Sequence, residues 1–377
     1  MGLDMAMENN LTRRTVLGLF ASIPLYLSSA HYAKAETAEI NTTVNPVVPF
    51  TKENAVLASL NLARSFGKEN IDAVNPLPLF NEFGDFIGYA VSFKQHGEPS
   101  GYAILDINCK QLFRDFTFDL GASIPLATDA AGSAIASSKA LSEAEDSHEA
   151  YNLVKADPLL YRIVKQDDIN LLEDILDDYT ISASYLFSTF DVTYMKTWDS
   201  YYGIDQWDFV AECGRYACAV TACYVLLGFL VNYYSPDGRV NKSVYDQLWS
   251  YTNTVDIVDE SGINAGSTSL GDATKGLANY CHDKYSKHGT YQVYETVTPS
   301  VITDAVEKEY GCILSVKRDG YYSHACVIEG YLNATAPNGV HGTYFLIYDG
   351  WNTAGRYIDL TPYQDESSYP FGAGLIK

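Results

Sequence analysis

Gln206-Trp207-Asp208-Phe209-Val210-Ala211-Glu212-Cys213-Gly214-Arg215-Tyr216-Ala217-Cys218-Ala219-Val220-Thr221-Ala222-Cys223 is the stretch on which the reading of this chain turns. From Tyr216 to Leu230 the sequence is almost wholly apolar, with small residues clustered at its start, which predicts a buried central helix with close neighbours. Cys213 is expected in the first turn of that helix, where unpaired backbone amides and the helix dipole favour negative charge. A thiol placed there ionises more readily, and the thiolate is the nucleophilic form. Cys218 and Cys223 fall deeper in the same run and read as small core residues.

A thiolate nucleophile needs a proton shuttle. Of the seven histidines, His324 is the best placed: it opens a predicted strand, Ala325–Tyr331, after a polar turn at 319–323. His341 reads as a loop tip within Asn338–Gly342. A third group is needed to orient the imidazole. The strand Tyr344–Tyr348 ends in Asp349-Gly350-Trp351-Asn352, so Asp349 is the candidate, with Asn352 in reserve. An Asp-Gly hairpin turn is the competing reading of Asp349.

Working outward, the chain divides into four parts. Residues 1–35 read as an export signal, with paired Arg13 and Arg14, an apolar run Val16–Leu27 and a small-x-small cleavage pattern at Ala33-Lys34-Ala35. The paired arginines suggest the twin-arginine route, an ordinary secretory signal being the alternative. Residues 36–120 predict a small α+β unit: a helix capped by Thr51, then short strands separated by Gly/Asp turns. Residues 121–180 begin with an Ala/Ser/Gly-rich linker and continue as an acidic, helix-favouring connector. The last domain is expected over 181–377. The fold class is therefore α+β.

The 377 residues carry a formal charge of −22, which excludes a phosphate-binding, nucleic-acid partner of the usual kind. No later stretch is long and apolar enough to span a bilayer, so no membrane span is expected in the mature form. The seven cysteines show no metal-ligand spacing, and Cys213, Cys218 and Cys223 recur every five residues instead.

At Gln206, Cys213-Gly214, His324-Ala325, Asp349 and Trp351 the chain resembles the papain-like cysteine peptidases, in particular the bacterial bacteriocin-processing-like and streptopain-like branches. The resemblance covers about 180 residues, with Arg215 standing where proline commonly follows Cys-Gly. It implies a catalytic domain in which a central helix carrying the cysteine packs on an antiparallel sheet. It also implies Cys213 as nucleophile, His324 as base, Asp349 orienting that base, Gln206 in the oxyanion hole and Trp351 shielding the His–Asp pair. No cofactor or metal is implied.

The 52–120 unit is similar to streptopain-type propeptides, through Pro78–Tyr89 and the strand Gly101–Leu105. That implies a zymogen whose pro-region, 36 to about 180, acts as an intramolecular inhibitor. The expected activity is hydrolysis of peptide or protein substrates through a thioester, in a secreted, cell-envelope or periplasmic protein. Acyl transfer by a transglutaminase-like enzyme or a cell-wall amidase is one alternative. A catalytically inactive papain-like binding protein is another.

Overall fold

The computed structural model describes residues 46–81, 83–126, 151–155, 159–165, 179–198, 204–235, 239–258, 264–316, 324–352, 354–360 and 371–377. The expected export signal, most of the Ala/Ser/Gly-rich linker and the acidic positions at 143–149 and 167–178 lie outside these residues. The described residues belong to one compact α+β unit, in which two modules can be distinguished by their cores.

The N-terminal module begins with β1 (Val47–Pro49) and α1 (Lys52–Ser65). Thr51 caps the helix as expected, its hydroxyl accepting from Asn54 N at 3.3 Å. The buried face runs through Ala55, Ala58, Leu62 and Ala63, and Leu57 turns outward. Strands β2 (Asp72–Phe80), β3 (Phe86–Gln95), β4 (Glu98–Asp106) and β5 (Phe113–Thr117) follow as an antiparallel meander. The β3–β4 turn is His96-Gly97, both left-handed, which suits the twist of a hairpin. Phe50, Phe86, Tyr89, Phe113 and Phe116 fill the space between helix and sheet.

Where the helical connector expected over 121–180 is described, at 151–155 and 161–165, the chain forms strands instead of helix. Within it, β6 (Tyr151–Lys155) and β7 (Tyr161–Lys165) form an antiparallel pair, and β6 runs parallel to β2. Leu153 and Tyr161 are buried against Leu79 and Ile104, so sheet packing overrides the helix-favouring composition. β8 (Thr180–Ser182) pairs with β1, and Ile181, Tyr185 on α2 (Ser184–Phe187) and Phe190 complete the first module's core.

The second module starts at β9 (Asp191–Thr197) and continues through α3 (Gln206–Cys213), α4 (Cys218–Val231), α5 (Lys242–Tyr251), β10 (Val255–Val258), β11 (Asn264–Ser267) and α6 (Leu270–Tyr285). After β12 (Tyr291–Tyr294) and α7 (Pro299–Glu307) come β13 (Gly311–Val316), β14 (His324–Thr335), β15 (His341–Tyr348), β16 (Arg356–Ile358) and β17 (Phe371–Ile376). His341 therefore opens a strand instead of sitting at a loop tip; its Nδ1 lies 2.8 Å from Thr335 Oγ1 across the turn.

A 13-stranded sheet runs through both modules in the order β12-β17-β13-β14-β15-β16-β5-β4-β3-β2-β6-β7, with β9 alongside β14. The first half of β14 lies between β13 and β15, and its second half lies between β9 and β15. Helix α4 packs on β13 and β14 and is flanked by α5 and α6. Its Val220, Val225, Leu226, Leu227 and Leu230 are buried, and each such side chain contributes roughly 1.5–3 kcal/mol. The modules join where β5 pairs with β16, Tyr357 opposite Phe116 and Ile358 opposite Asp115. Among the described residues, no helix is long and apolar enough to cross a membrane.

Candidate active site

Residues 206–223 hold one helix and the start of a second. Asp205 caps the first, α3: its Oδ1 accepts from Trp207 N at 2.8 Å and from Asp208 N at 3.2 Å. The Asp208 carboxylate accepts in return from Asp205 N at 2.8 Å, closing a capping box. Cys213 is the last residue of α3, and Gly214, with φ +75°, ends the helix in the left-handed conformation. A side chain at Gly214 would meet nothing within 4 Å, so backbone conformation is what favours glycine there.

After Gly214 the chain runs extended. Tyr216 N donates to Asn264 O at 3.1 Å and Gly266 N to Tyr216 O at 2.9 Å, tying this bridge to β11. The central helix, α4, then starts at Cys218. The Cys-Gly pair thus stops one helix instead of opening the next, and the expected placement of Cys213 in the first turn of the central helix is corrected to Cys218. Gly214 and the pairing of Tyr216 with β11 are the physical reasons for the break.

The N-cap of α4 is Ala217, which offers no side-chain oxygen to the free amides of the first turn. Cys218 is the first residue of that turn. The His324 imidazole and the backbone at Ala325 and Ala219 act on it, each favouring the thiolate. Burial pushes the Cys218 thiol up, but these contacts and the charge of His324 outweigh it and hold the thiol below its ordinary value. Burial likewise pulls the His324 imidazole down, and Cys218 and Asp349 together lift it above its ordinary value. Both shifts favour a thiolate–imidazolium pair.

Five of the other six cysteines contrast with this. Burial pushes Cys213 up to about 11 and Cys281 and Cys312 up to about 12, and it raises Cys223 and Cys326 as well. Lys242 and Arg215 oppose the shift at Cys213 without overcoming it. Arg215 is itself committed, pairing with Asp246 at 2.7 Å and lying over the Trp249 ring at 4.1 Å.

His324 opens β14, as expected, and its Nε2 lies 2.8 Å from the main-chain oxygen of Asp349 at the end of β15. A carbonyl only accepts, so Nε2 carries the proton and Nδ1 is left to face Cys218. Trp351 stacks on the imidazole, centroids 3.8 Å apart and planes at 14°. The structure thus brings His324, Asp349 and Trp351 together.

The carboxylate of Asp349, however, does not face the imidazole in the way the sequence reading expected. Its Oδ1 accepts from Trp351 N at 2.8 Å and Asn352 N at 3.1 Å, the Asx geometry of a tight turn. Its Oδ2 lies 3.0 Å from Arg356 Nε in a buried ion pair. Asp349 orients His324 through its carbonyl, and its carboxylate fixes the turn that presents the carbonyl.

Gln206 is buried at the first turn of α3, and its backbone N donates to Gly350 O at 2.8 Å. The Tyr348 hydroxyl donates to Ile204 O beside it. The start of α3 is therefore docked on the turn that carries Asp349. Two contributors escaped the sequence reading. Cys218 was readable from Gly214, a helix stop, followed by a resumption of apolar spacing. Arg356 left no signal, because its partner Asp115 is 241 residues away in the chain.

Among the described residues, no three His, Cys, Asp or Glu side chains gather as a metal-ligand set. No family model matches the chain, and no curated protein sequence matches it.

Proposed function

We propose that this chain is a papain-like cysteine peptidase whose nucleophile is Cys218, with His324 as acid and base. The observation that carries the reading is Cys218 at the start of α4 with His324 at the start of β14, the imidazole held by Asp349 O at 2.8 Å and stacked on Trp351, the thiol lowered by His324 and the imidazole raised by Cys218. Support for the papain-like fold comes from chain order: a buried helix carrying the cysteine, a strand opened by histidine and the next strand ended by Asp349.

The Cys218 thiolate attacks the carbonyl carbon of a peptide bond, and the resulting oxyanion is stabilised by free amides at the α4 N-terminus. Imidazolium Nδ1–H of His324 protonates the leaving amine, the C–N bond breaks and a thioester remains. Neutral Nδ1 then takes a proton from water, whose oxygen attacks the thioester. Collapse releases the carboxylic acid and returns the Cys218–His324 pair. Asp349 O keeps the imidazole aligned through both steps, and Trp351 covers one face of the ring.

The test compares Cys218→Ser with Cys213→Ser in the full chain, using hydrolysis of a denatured protein and iodoacetamide labelling mapped by mass spectrometry. Cys218→Ser should lower turnover on the order of a thousandfold or more and abolish fast labelling, with Cys213→Ser close to wild type. The opposite pattern would return the nucleophile to Cys213. Product trapping with an added amine separates hydrolysis from acyl transfer.

A further inference from the structure

Arg356 is 2 % exposed and touches three groups from different parts of the chain. One Nη1 hydrogen bond goes to Asp115 Oδ2 on β5, in the N-terminal module. Nη2 donates to Leu159 O at 2.9 Å, between β6 and β7. Nε stands 3.0 Å from Asp349 Oδ2, an ion pair more than an aligned hydrogen bond. Asp115 is in turn held by the Tyr102 hydroxyl, which donates to its Oδ1 at 3.0 Å.

A guanidinium out of water needs its donors and its charge matched, and here two carboxylates from two modules do so. The backbone clamps the same joint: Thr117 Oγ1 donates to Gly355 O at 2.9 Å and Asp359 N to Arg114 O at 2.8 Å. The arginine cannot follow one carboxylate without leaving the other.

We infer that Asp115 is a positioning residue of the active site: through Arg356 it fixes Asp349, whose carbonyl holds His324. This rests on the peptidase reading for its purpose, though not for its geometry. It gives the N-terminal module a constructive role. Taking the module away removes Asp115 and Tyr102 and leaves Asp349 as the one carboxylate, among the described residues, paired with the guanidinium. The module then stays with the catalytic half in the working enzyme, and cuts in the stretches between β5 and β8 leave it attached through the shared sheet.

The test is an NMR titration of His324 in the full-length protein, the signal assigned by its loss in His324→Gln. The groups facing His324 are Cys218, Asp349 and the Trp351 ring; those acting on Arg356 are Asp115, Asp349, Tyr102 and Tyr161. In Asp115→Asn, Arg356 neutralises Asp349 more completely, so less negative charge supports the imidazolium. The His324 midpoint should fall by about one pH unit, a tenfold loss of imidazolium above it. Asp115→Glu should return it most of the way, and Tyr102→Phe, the milder change should Asp115→Asn fail to fold, should give a smaller fall.

The control is Asp106→Asn, which breaks the buried 2.6 Å pair with Arg114 inside the N-terminal module. It should lower the melting temperature and leave the His324 midpoint in place. A midpoint unmoved in both Asp115→Asn and Tyr102→Phe, or moved equally by Asp106→Asn, overturns the inference. The peptidase reading fails separately, if wild-type Cys218 is alkylated no faster than Cys213.

Discussion

His324 lies flat against Trp351, with 3.8 Å between ring centroids and 14° between planes. An imidazolium on an indole face gains the attraction of a cation for the ring quadrupole, about 0.5–2 kcal/mol. The indole also shields that face from water. Trp351→Ala is therefore expected to lower the His324 midpoint and cut turnover by roughly tenfold. Trp351→Phe should retain most of both. A titration of His324 alongside steady-state kinetics checks it, and an unchanged midpoint in Trp351→Ala would leave the stack as packing only.

The reactivity of the seven cysteines should separate by pH. Cys218 has a lowered thiol, and Cys213 ionises only near about 11. At mildly acidic pH, iodoacetamide should modify Cys218 first, with Cys213 slower by at least about a hundredfold. Peptide mapping after short exposures reads this directly. Equal rates would remove the activated thiolate.

The same pair should mark the pH dependence of stability. His324 is raised in the folded state, so its contribution is complete below its ordinary value of 6.5 and is lost as pH rises through the folded value. Cys218 is lowered, so its contribution is present above the ordinary value of 9.0 and is lost as pH falls through the folded value. Where the two groups overlap as an ion pair, Cys218→Ala should lose most relative to wild type, and the loss should shrink in acid. Denaturant melts across pH 4–9 test this; a difference independent of pH would mean that no ion pair forms.

Gly214 offers a conformational test. Its φ of +75° disfavours any side chain, yet nothing stands near where a Cβ would go. Gly214→Ala should cost about 1–2 kcal/mol from backbone alone, and Gly214→Asn less, since asparagine tolerates this region. Chemical denaturation measures both. Equal losses for the two variants would point to crowding instead.

Much of this arrangement is legible along the chain wherever the determining contact is local. Thr51 and its helix, His324 at the mouth of β14 and Asp349 at the end of β15 all follow from short-range pattern. Trp351 beside His324 depends on the two strands being neighbours, which their order suggests. The reading slips where one residue type has two local meanings. Gly214 after Cys213 reads as an opening but acts as a stop, and the apolar run from Tyr216 conceals the extended residues before Cys218. Asp349 sends its carboxylate to a turn and an arginine, which only the tertiary arrangement determines. Tyr161 and Leu153 take up strands in an acidic surrounding because a sheet edge is there to receive them.

The pairing of β5 with β16 has a consequence for how the protein comes into being. As the chain leaves the ribosome, the meander to β5 is complete long before its last neighbour has been made. Asp115 waits for Arg356 across 241 residues. Until then β5 is a bare edge with unpaired amides and carbonyls, the kind of surface that recruits strands from other chains. Contacts this distant in sequence also slow folding. Synthesis that stops short of β16 would leave a half-built sheet with a sticky margin, so the chain's last fifth protects its first third from aggregation.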